Sequence, residues 1–215
     1  MNKENKVHNM WPTFIGEFYN PNHNKIKNDL VIFFKDYMKN NTSRKNLGEN
    51  FKLFESEYDL HNYENPTFTK LLNEFIMKGF LTMAKEANKN EVSKLGKKTK
   101  FNVTIKDSWF IHYEKGGFVL PHFHGYCSWC CVYYVQLGND ANSTNGSTFF
   151  QKPIPPRATP DFGSEYNKYM TTSFEPEEGK MFIWPYYLMH GCYPYSGDKN
   201  RIIVSANATV SLVKK

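Results

Sequence analysis

The chain has 215 residues, of which 40% are hydrophobic, 17% aromatic and 22% charged. This length allows one domain with a hydrophobic core, and the ordinary charged fraction argues against a disordered chain. No apolar run reaches the roughly 18 residues of a membrane-spanning helix, and the polar start does not resemble a secretory signal. The sequence therefore predicts a cytoplasmic protein.

The net charge of +6 arises mainly in the first half of the chain. The basic residues there are scattered lysines, with one tight cluster formed by Lys97, Lys98 and Lys100. A nucleic-acid-binding surface would combine arginines with interleaved aromatic side chains along one face. We therefore interpret the lysines as a solvated surface or loop, and expect neither nucleic acid nor a membrane as a partner.

Two helical patterns occupy the first half of the chain. Apolar residues recur at helical spacing over residues 25–38. A second helix is predicted to begin at Asn65 and Pro66, an N-cap residue followed by a proline suited to the first helical position. Its apolar stripe continues to Met83, and the polar residues 88–100 are predicted to form a loop. Both helices are expected to pack against a sheet.

From Phe101 onward the apolar residues repeat with a period of two, which is typical of β-strands. The first strand is predicted to place its apolar residues from Phe101 to Tyr113 on one face. The short strands, separated by turn signals, favour an antiparallel sandwich or barrel. The predicted strands cover residues 101–113, 118–124, 129–137, 147–151, 169–174, 180–184, 189–193 and 201–210.

The predicted fold class is therefore mainly β with N-terminal helices, a jelly roll supported by helices on one face. We expect a single domain over residues 1–215, with helical support in 1–100 and the jelly-roll core in 101–215. Residues 152–167 contain four prolines and are predicted to form a surface loop that could act as a lid. With Trp109, Tyr126 and Trp184 the loop could shape a substrate cleft, although we favour a core position for these aromatic residues.

Four cysteines raise the alternatives of zinc binding and redox chemistry. Cys127 and Cys130 have C-x-x-C spacing, and only Cys131 and Cys192 remain. A structural zinc site would need a second C-x-x-C or paired Cys/His element. Because the motif lies in an apolar, aromatic run, where cysteine behaves as a small buried hydrophobe, we predict structural thiols.

Three of the seven histidines are candidate metal ligands. His122 and His124 are two residues apart, so on one strand their side chains would share a face. His190 begins a later predicted strand. Such a set provides three ligands and leaves positions open for substrate and oxygen. The H-x-H pattern also occurs in cupins and zinc enzymes, so it alone leaves open a cupin-like metal-binding protein or an isomerase.

An arginine and a tyrosine favour a co-substrate pocket beside this metal. Arg201 follows His190 by eleven residues and begins the last apolar strand. If neighbouring antiparallel strands carry both, a dicarboxylate could chelate the metal and pair bidentately with the guanidinium. Tyr134 lies ten residues after His124, and its hydroxyl could join Arg201 at the distal carboxylate.

Several motifs resemble the 2-oxoglutarate/iron(II)-dependent oxygenases. The sequence YEKGGFVLPHFH, residues 113–124, resembles the segment around the first metal ligands of the prolyl-hydroxylase-like group. The sequence CVYYVQ, residues 131–136, looks like the strand that supplies their co-substrate tyrosine. Residues 179–207 are similar to the closing half of that fold. The H-x-H motif and the trailing asparagine resemble bacterial and phage members, and the match spans residues 105–210.

The resemblance implies a double-stranded β-helix that binds iron(II) and the co-substrate 2-oxoglutarate and consumes O2, with ascorbate as a supporting reductant. It implies hydroxylation of a C–H bond in a peptide, protein or small-molecule substrate, such as a peptidyl proline. His122 and His190 would be ligands, Arg201 and Tyr134 would hold the distal carboxylate, and Tyr113 would line the co-substrate pocket.

Two further residues of the last strand are candidates for this pocket. Ser205 and Asn207 share the parity of Arg201, so on a regular strand all three side chains would point inward.

His124 departs from the usual pattern of this superfamily, because it stands where H-x-D or H-x-E has a carboxylate. A neutral ligand leaves the site one unit more positive and removes an oxygen donor. His124 could ligate in a three-histidine site, lie behind a water that ligates in its place, or mark a degenerate site. We favour ligation, because a strand face shared with His122 would aim it at the metal.

Overall fold

The computed structural model describes residues 7, 10–44, 51–96 and 99–213. Lys97 and Lys98 of the predicted basic cluster lie outside this part of the chain. None of the helices that it contains is both long and apolar enough to cross a membrane. The helices are α1 (His23–Asn40), α2 (Pro66–Leu71), α3 (Met77–Ala87) and α4 (Lys89–Val92).

Ten strands in the described residues form two antiparallel sheets. The six-stranded sheet, which we call the major sheet, has the order β1-β8-β5-β10-β3-β2, and the four-stranded minor sheet has the order β4-β9-β6-β7. The strands are β1 (Gly16–Tyr19), β2 (Leu53–Glu55), β3 (Phe101–Tyr113), β4 (Val119–His122), β5 (Trp129–Gln136), β6 (Thr148–Gln151), β7 (Thr171–Ser173), β8 (Lys180–Pro185), β9 (His190–Cys192) and β10 (Arg201–Leu212).

Each face of the major sheet packs against a different layer. Val204 and Ala206 of β10 belong to a core that includes Leu30 and Phe34 of α1. Ile203, one residue along, belongs to a second core. Because successive side chains of a strand point to opposite faces, the helices cover one face and the minor sheet lies over the other. The fold is a mostly β, antiparallel jelly-roll type.

A bulge in β3 changes which of its residues face the helices. Asn207 pairs with Asp107 but Ala208 pairs with Ile105, so Lys106 is the extra residue. The extra residue moves the following side chains to the opposite face. Val103 and Ile105 pack on the helix side, whereas Trp109, Ile111 and Tyr113 join the core between the sheets. The prediction of one apolar face along the strand is therefore wrong.

The first hundred residues contribute more than helices. β1 pairs with β8, and β2 pairs with β3, so both ends of the major sheet are N-terminal strands. Each is only 4 or 3 residues long, too short to give a readable period in the sequence. The predicted loop of residues 88–100 likewise contains the one-turn helix α4.

The second helical segment begins where its sequence predicts. The Asn65 side chain accepts a hydrogen bond of 2.9 Å from the Phe68 N–H, and Pro66 occupies the first helical position. This satisfies one of the free N–H groups of the first turn. Between α2 and α3 the chain stays helical but widens to a π-helix over Leu72–Ile76.

Candidate active site

Two candidate ligands face each other across the minor sheet. His122 ends β4 and is the cross-strand partner of His190, which begins β9. The Nδ1–H of His122 donates to the Leu120 carbonyl, and the Nδ1–H of His190 donates to the Leu188 carbonyl, both at 2.9 Å. With the proton on Nδ1, the Nε2 of each ring has a free lone pair, as metal-bound histidines require.

His124 reaches the same place from a loop. β4 ends at His122, so the predicted strand to residue 124 is too long, and a shared strand face is not what orients His124. Its backbone N–H donates to the Tyr186 carbonyl at 3.1 Å. Its ring stacks on that of Trp109, with centroids 5.8 Å apart and an angle of 24°.

The three imidazoles converge on one point. One nitrogen from each of His122, His124 and His190 lies within 4.8 Å of the others. Nε2 of His124 is 3.2 Å from Nε2 of His190. Two ligands at about 2.1 Å from a metal and at right angles are roughly 3 Å apart, so the separation fits a shared ion. The donor set therefore fits a divalent transition metal.

Burial keeps these imidazoles neutral. It lowers the pKa of His124 to about 4. It also lowers the pKa of His122 and, well below the usual value, that of His190. The neighbouring His122 lowers the pKa of the other two rings further. Neutral imidazole is the form that binds metals.

Arg201 is a buried cation with unused donors. It is 1% exposed, and among the described residues its Nε and Nη1 have no hydrogen-bond partner. Its guanidinium carbon lies 4.4 Å from the ring centroid of Tyr113 and 5.4 Å from that of Tyr134. A buried charge is costly unless an anion or hydrogen bonds compensate it, so the site fits a carboxylate ligand.

The Tyr134 hydroxyl is held by a residue of the minor sheet. It donates to Thr148 Oγ1 at 3.1 Å and accepts from the Thr148 N–H at 3.3 Å. Thr148 begins β6 in the minor sheet, so this pair links the two sheets beside Arg201. Thr148 could not be predicted from the sequence, because a single threonine on a short strand carries no distinguishing signal.

A cavity of about 240 Å³ lies between the sheets at this place. Its lining brings together the candidate residues Tyr113, Ser205 and the three histidines. Asn207 instead donates to Asp107 at 3.0 Å. The lining residues that the sequence analysis did not assign to this site include Glu55, Tyr58, Thr148, Trp184 and Cys192.

The aromatic residues considered for a substrate cleft separate into two groups. Trp109 and Trp184 are buried, and both line the cavity. Tyr126 is fully exposed and has a left-handed backbone with φ of 60°. The expectation of a core position is therefore wrong for Tyr126.

The cysteines form no zinc site in the described residues. All four are buried free thiols, and the three histidines are the one group there that could hold a metal. Cys127 Sγ is 3.7 Å from Cys130 Sγ, a thiol–thiol contact within an apolar core.

The family comparison covers the segment that carries the site. Residues 107–207 match the model of the family described as "Putative 2OG-Fe(II) oxygenase". Over this segment the chain is similar to the 2OG-Fe(II) oxygenases. The prediction of an enzyme of the 2-oxoglutarate-dependent iron oxygenase type is thereby confirmed. No curated protein matches the chain significantly.

Solved structures share the fold at low sequence identity. The viral collagen prolyl hydroxylase vCPH from Paramecium Bursaria Chlorella virus-1, in its 2OG complex, is 12% identical, with a TM-score of 0.52 over 90% of this chain and 94% of that one. The epimerase SnoN in complex with Fe3+, alpha ketoglutarate and nogalamycin RO is 11% identical, with a TM-score of 0.60 over 93% and 82%.

A third similar structure is HygX from Streptomyces hygroscopicus with nickel and 2-oxoglutarate bound. It is 9% identical, with a TM-score of 0.58 over 92% of this chain and 82% of that one. At these identities the similarities show the fold alone.

Proposed function

We propose that this chain is an iron(II)- and 2-oxoglutarate-dependent dioxygenase that hydroxylates a C–H bond of its substrate. His122, His124 and His190 would hold the iron, and Arg201 would hold the distal carboxylate of 2-oxoglutarate. Bound iron and 2-oxoglutarate supply the oxidising chemistry, in which O2 is consumed, the co-substrate leaves as succinate and CO2, and a C–H becomes C–OH.

The observation that carries this proposal is the buried guanidinium of Arg201, whose Nε and Nη1 have no hydrogen-bond partner among the described residues. Arg201 is 1% exposed. A metal-binding protein without a dicarboxylate ligand would bear the cost of this buried charge with nothing to compensate it. The cupin-like metal protein or isomerase that the histidines alone allow therefore explains less of the site. Arginine also suits a carboxylate because its planar fork can donate two parallel hydrogen bonds.

The surrounding residues position the ligands and exclude water. Tyr113 and Tyr134 cover the guanidinium with their rings, and cation–π attraction keeps it in place. Thr148 holds the Tyr134 hydroxyl. Leu120 and Leu188 keep the protons of His122 and His190 on Nδ1, so that Nε2 stays available. Ser205 offers a hydroxyl to the cavity, whereas the assignment of Asn207 rests on its strand parity.

The substrate remains a separate question from the co-substrate. The fold that this chain shares with vCPH supports a peptide as one candidate, and the fold shared with SnoN supports a small molecule. Both analogies act at the level of the fold. Ascorbate would support turnover only by keeping the iron reduced.

The experiment measures metal and co-substrate binding before any substrate is known. The full chain is loaded with iron(II) without oxygen, the bound metal is counted, and 2-oxoglutarate is titrated in by calorimetry. We expect one iron and one 2-oxoglutarate per chain, followed by slow succinate formation when oxygen and ascorbate are admitted.

Two variants and two matched controls sharpen this test. Arg201→Met should retain iron and lose 2-oxoglutarate binding, and His190→Ala should lose iron. The controls are Arg157→Met and His61→Ala, which remove an arginine and a histidine that do not belong to the three-histidine group. They should change neither iron binding nor 2-oxoglutarate binding. Stoichiometric metal without 2-oxoglutarate binding in the unmodified chain would instead support the cupin-like alternative.

A further inference from the structure

A buried carboxylate lies in the wall of the same cavity, on the edge strand β2. Glu55 is 5% exposed and lines the cavity. Its cross-strand partner is Ile111 of β3, which also lines it. Directly opposed residues of paired strands have side chains on the same face, so Glu55 lies on the side of the major sheet that carries the candidate iron ligands.

The partners of Glu55 inside the protein are loose. The Tyr58 hydroxyl donates to Oε1 at 3.4 Å, and Arg44 Nε is 3.8 Å from Oε2. A well-made charge-assisted hydrogen bond is about 2.8 Å long. Arg44 is also engaged with the Tyr58 ring, 3.6 Å above its centroid. Burial raises the pKa of Glu55 to about 7, despite the opposing charge of Arg44. Within the described part of the chain the carboxylate is therefore short of positive charge and of donors.

Trp109 supplies a second unsatisfied group beside it. Its Nε1 is buried and has no hydrogen-bond partner among the described residues. Its ring lies between Tyr58, with centroids 4.6 Å apart, and His124, at 5.8 Å. Trp109 thus connects the carboxylate end of the cavity to the candidate iron ligands.

Glu55 and Arg201 lie on opposite sides of β3 in the major sheet. Neighbouring strands are about 4.8 Å apart, so their backbones are separated by about 10 Å across the sheet. The cavity therefore has a carboxylate in its wall on one side, and on the other side Tyr113 lines it with the buried guanidinium of Arg201 packed against its ring. A carboxylate ligand would be attracted to the side of Arg201, and a cationic ligand to the side of Glu55.

We propose that Glu55, Tyr58 and Trp109 form the substrate subsite of this cavity, and that this subsite takes a substrate carrying a protonated amine. The ammonium group donates to the Glu55 carboxylate and lies beside Tyr58 and Trp109, which line the same cavity. The indole N–H remains free to donate to a hydroxyl or carbonyl oxygen of the same molecule. The statement that this molecule is the one oxidised rests on the proposed function.

The test compares two probes of equal length, n-pentylammonium and n-pentanol. Their binding to the full chain is measured by calorimetry without oxygen, with and without iron(II) and 2-oxoglutarate. We expect the unmodified chain to bind the ammonium at least tenfold more tightly than the alcohol. Glu55→Gln keeps the shape and removes the charge, so it should abolish the preference. Trp109→Phe keeps an aromatic face, so it should weaken ammonium binding severalfold and retain the preference.

The outcomes separate this inference from the proposed function. Equal binding of the two probes by the unmodified chain, or a preference retained in Glu55→Gln, would overturn the subsite even if 2-oxoglutarate binds normally. Failure of the unmodified chain to bind 2-oxoglutarate, with the ammonium preference intact, would overturn the proposed function and leave an amine-binding site.

Arg201→Met serves as the matched control, because it should lose 2-oxoglutarate and keep the preference for ammonium. If Glu55→Gln does not fold, the Trp109→Phe result decides, since unchanged ammonium affinity in that variant contradicts the subsite.

Discussion

Nε2 of His124 lies 3.2 Å from Nε2 of His190, although the two residues are 66 positions apart in the chain. Nδ1 of His190 lies 2.9 Å from the Leu188 carbonyl and 3.2 Å from Nε1 of Trp184. The shorter contact needs a proton on Nδ1, and in that tautomer Nε2 presents a lone pair toward His124. Two such nitrogens in close contact require a proton or a cation between them. A metal ion that both rings bind relieves this contact and uses both lone pairs.

Substitution of His124 therefore tests whether the third histidine is an iron ligand. We expect His124→Ala to weaken iron(II) binding by more than tenfold, because one of three protein ligands is lost. His124→Asp should bind iron at least as well as the unmodified chain, since a carboxylate restores an oxygen donor. Both are measured by anaerobic titration. Iron affinity unchanged in His124→Ala would place His124 outside the coordination sphere.

Substitution of Arg201 should separate stability from co-substrate binding. Without ligand, Arg201→Met should be as stable as the unmodified chain or more stable by about 1 kcal/mol, because an apolar side chain replaces an unpaired buried charge. At 100 times the dissociation constant, 2-oxoglutarate should stabilise the unmodified chain by about 2.7 kcal/mol and the variant by nothing. Urea unfolding with and without 2-oxoglutarate measures both effects. A variant that 2-oxoglutarate still stabilises would contradict the assignment.

The contact between Tyr134 and Thr148 should contribute measurably to the junction of the two sheets. Tyr134→Phe and Thr148→Val each remove one partner of a buried hydrogen bond, and the double variant removes both. We expect a coupling of about 1 kcal/mol in the free energy of unfolding. Urea unfolding of the four proteins completes the cycle. Additive effects of the two substitutions would show that the hydrogen bond contributes nothing.

Glu55 should make the protein less stable as the pH rises. Its pKa is raised from 4.5 to about 7 by burial, which outweighs the lowering by Arg44 and by the Tyr58 hydroxyl and is reinforced by Glu57. A carboxyl group with a raised folded pKa favours folding most below pH 4.5, and that contribution is lost as the pH rises through 7. The free energy of unfolding of Glu55→Gln should therefore equal that of the unmodified chain near pH 4. At pH 8 it should be higher by up to about 3 kcal/mol.

The control for this pH series is Glu91→Gln, which removes an exposed carboxylate that does not line the cavity. It is expected to leave the pH dependence of the free energy of unfolding unchanged. A difference between Glu55→Gln and the unmodified chain that is constant from pH 4 to pH 8 would show that Glu55 titrates normally.

The sequence by itself determined the local features whose signals lie within a few residues. The N-cap at Asn65 and the strand from Phe101 to Tyr113 were readable because capping and alternation act locally. The order of H-x-H, His190 and Arg201 predicted a resemblance to the oxygenases, and the family model matches the segment that contains these residues.

Only the tertiary structure decided which side chains meet. The bulge at Lys106 turns Trp109 toward the cavity, and a local pattern cannot reveal a single extra residue that pairing across strands defines. The three-residue strand β2 brings Glu55 opposite Ile111, a contact between residues 56 positions apart. His124 owes its place to the Tyr186 carbonyl and the Trp109 ring and not to a strand face. Long-range packing thus set the orientation of Trp109 and His124, which the sequence had already indicated, and brought in Glu55, which it had not.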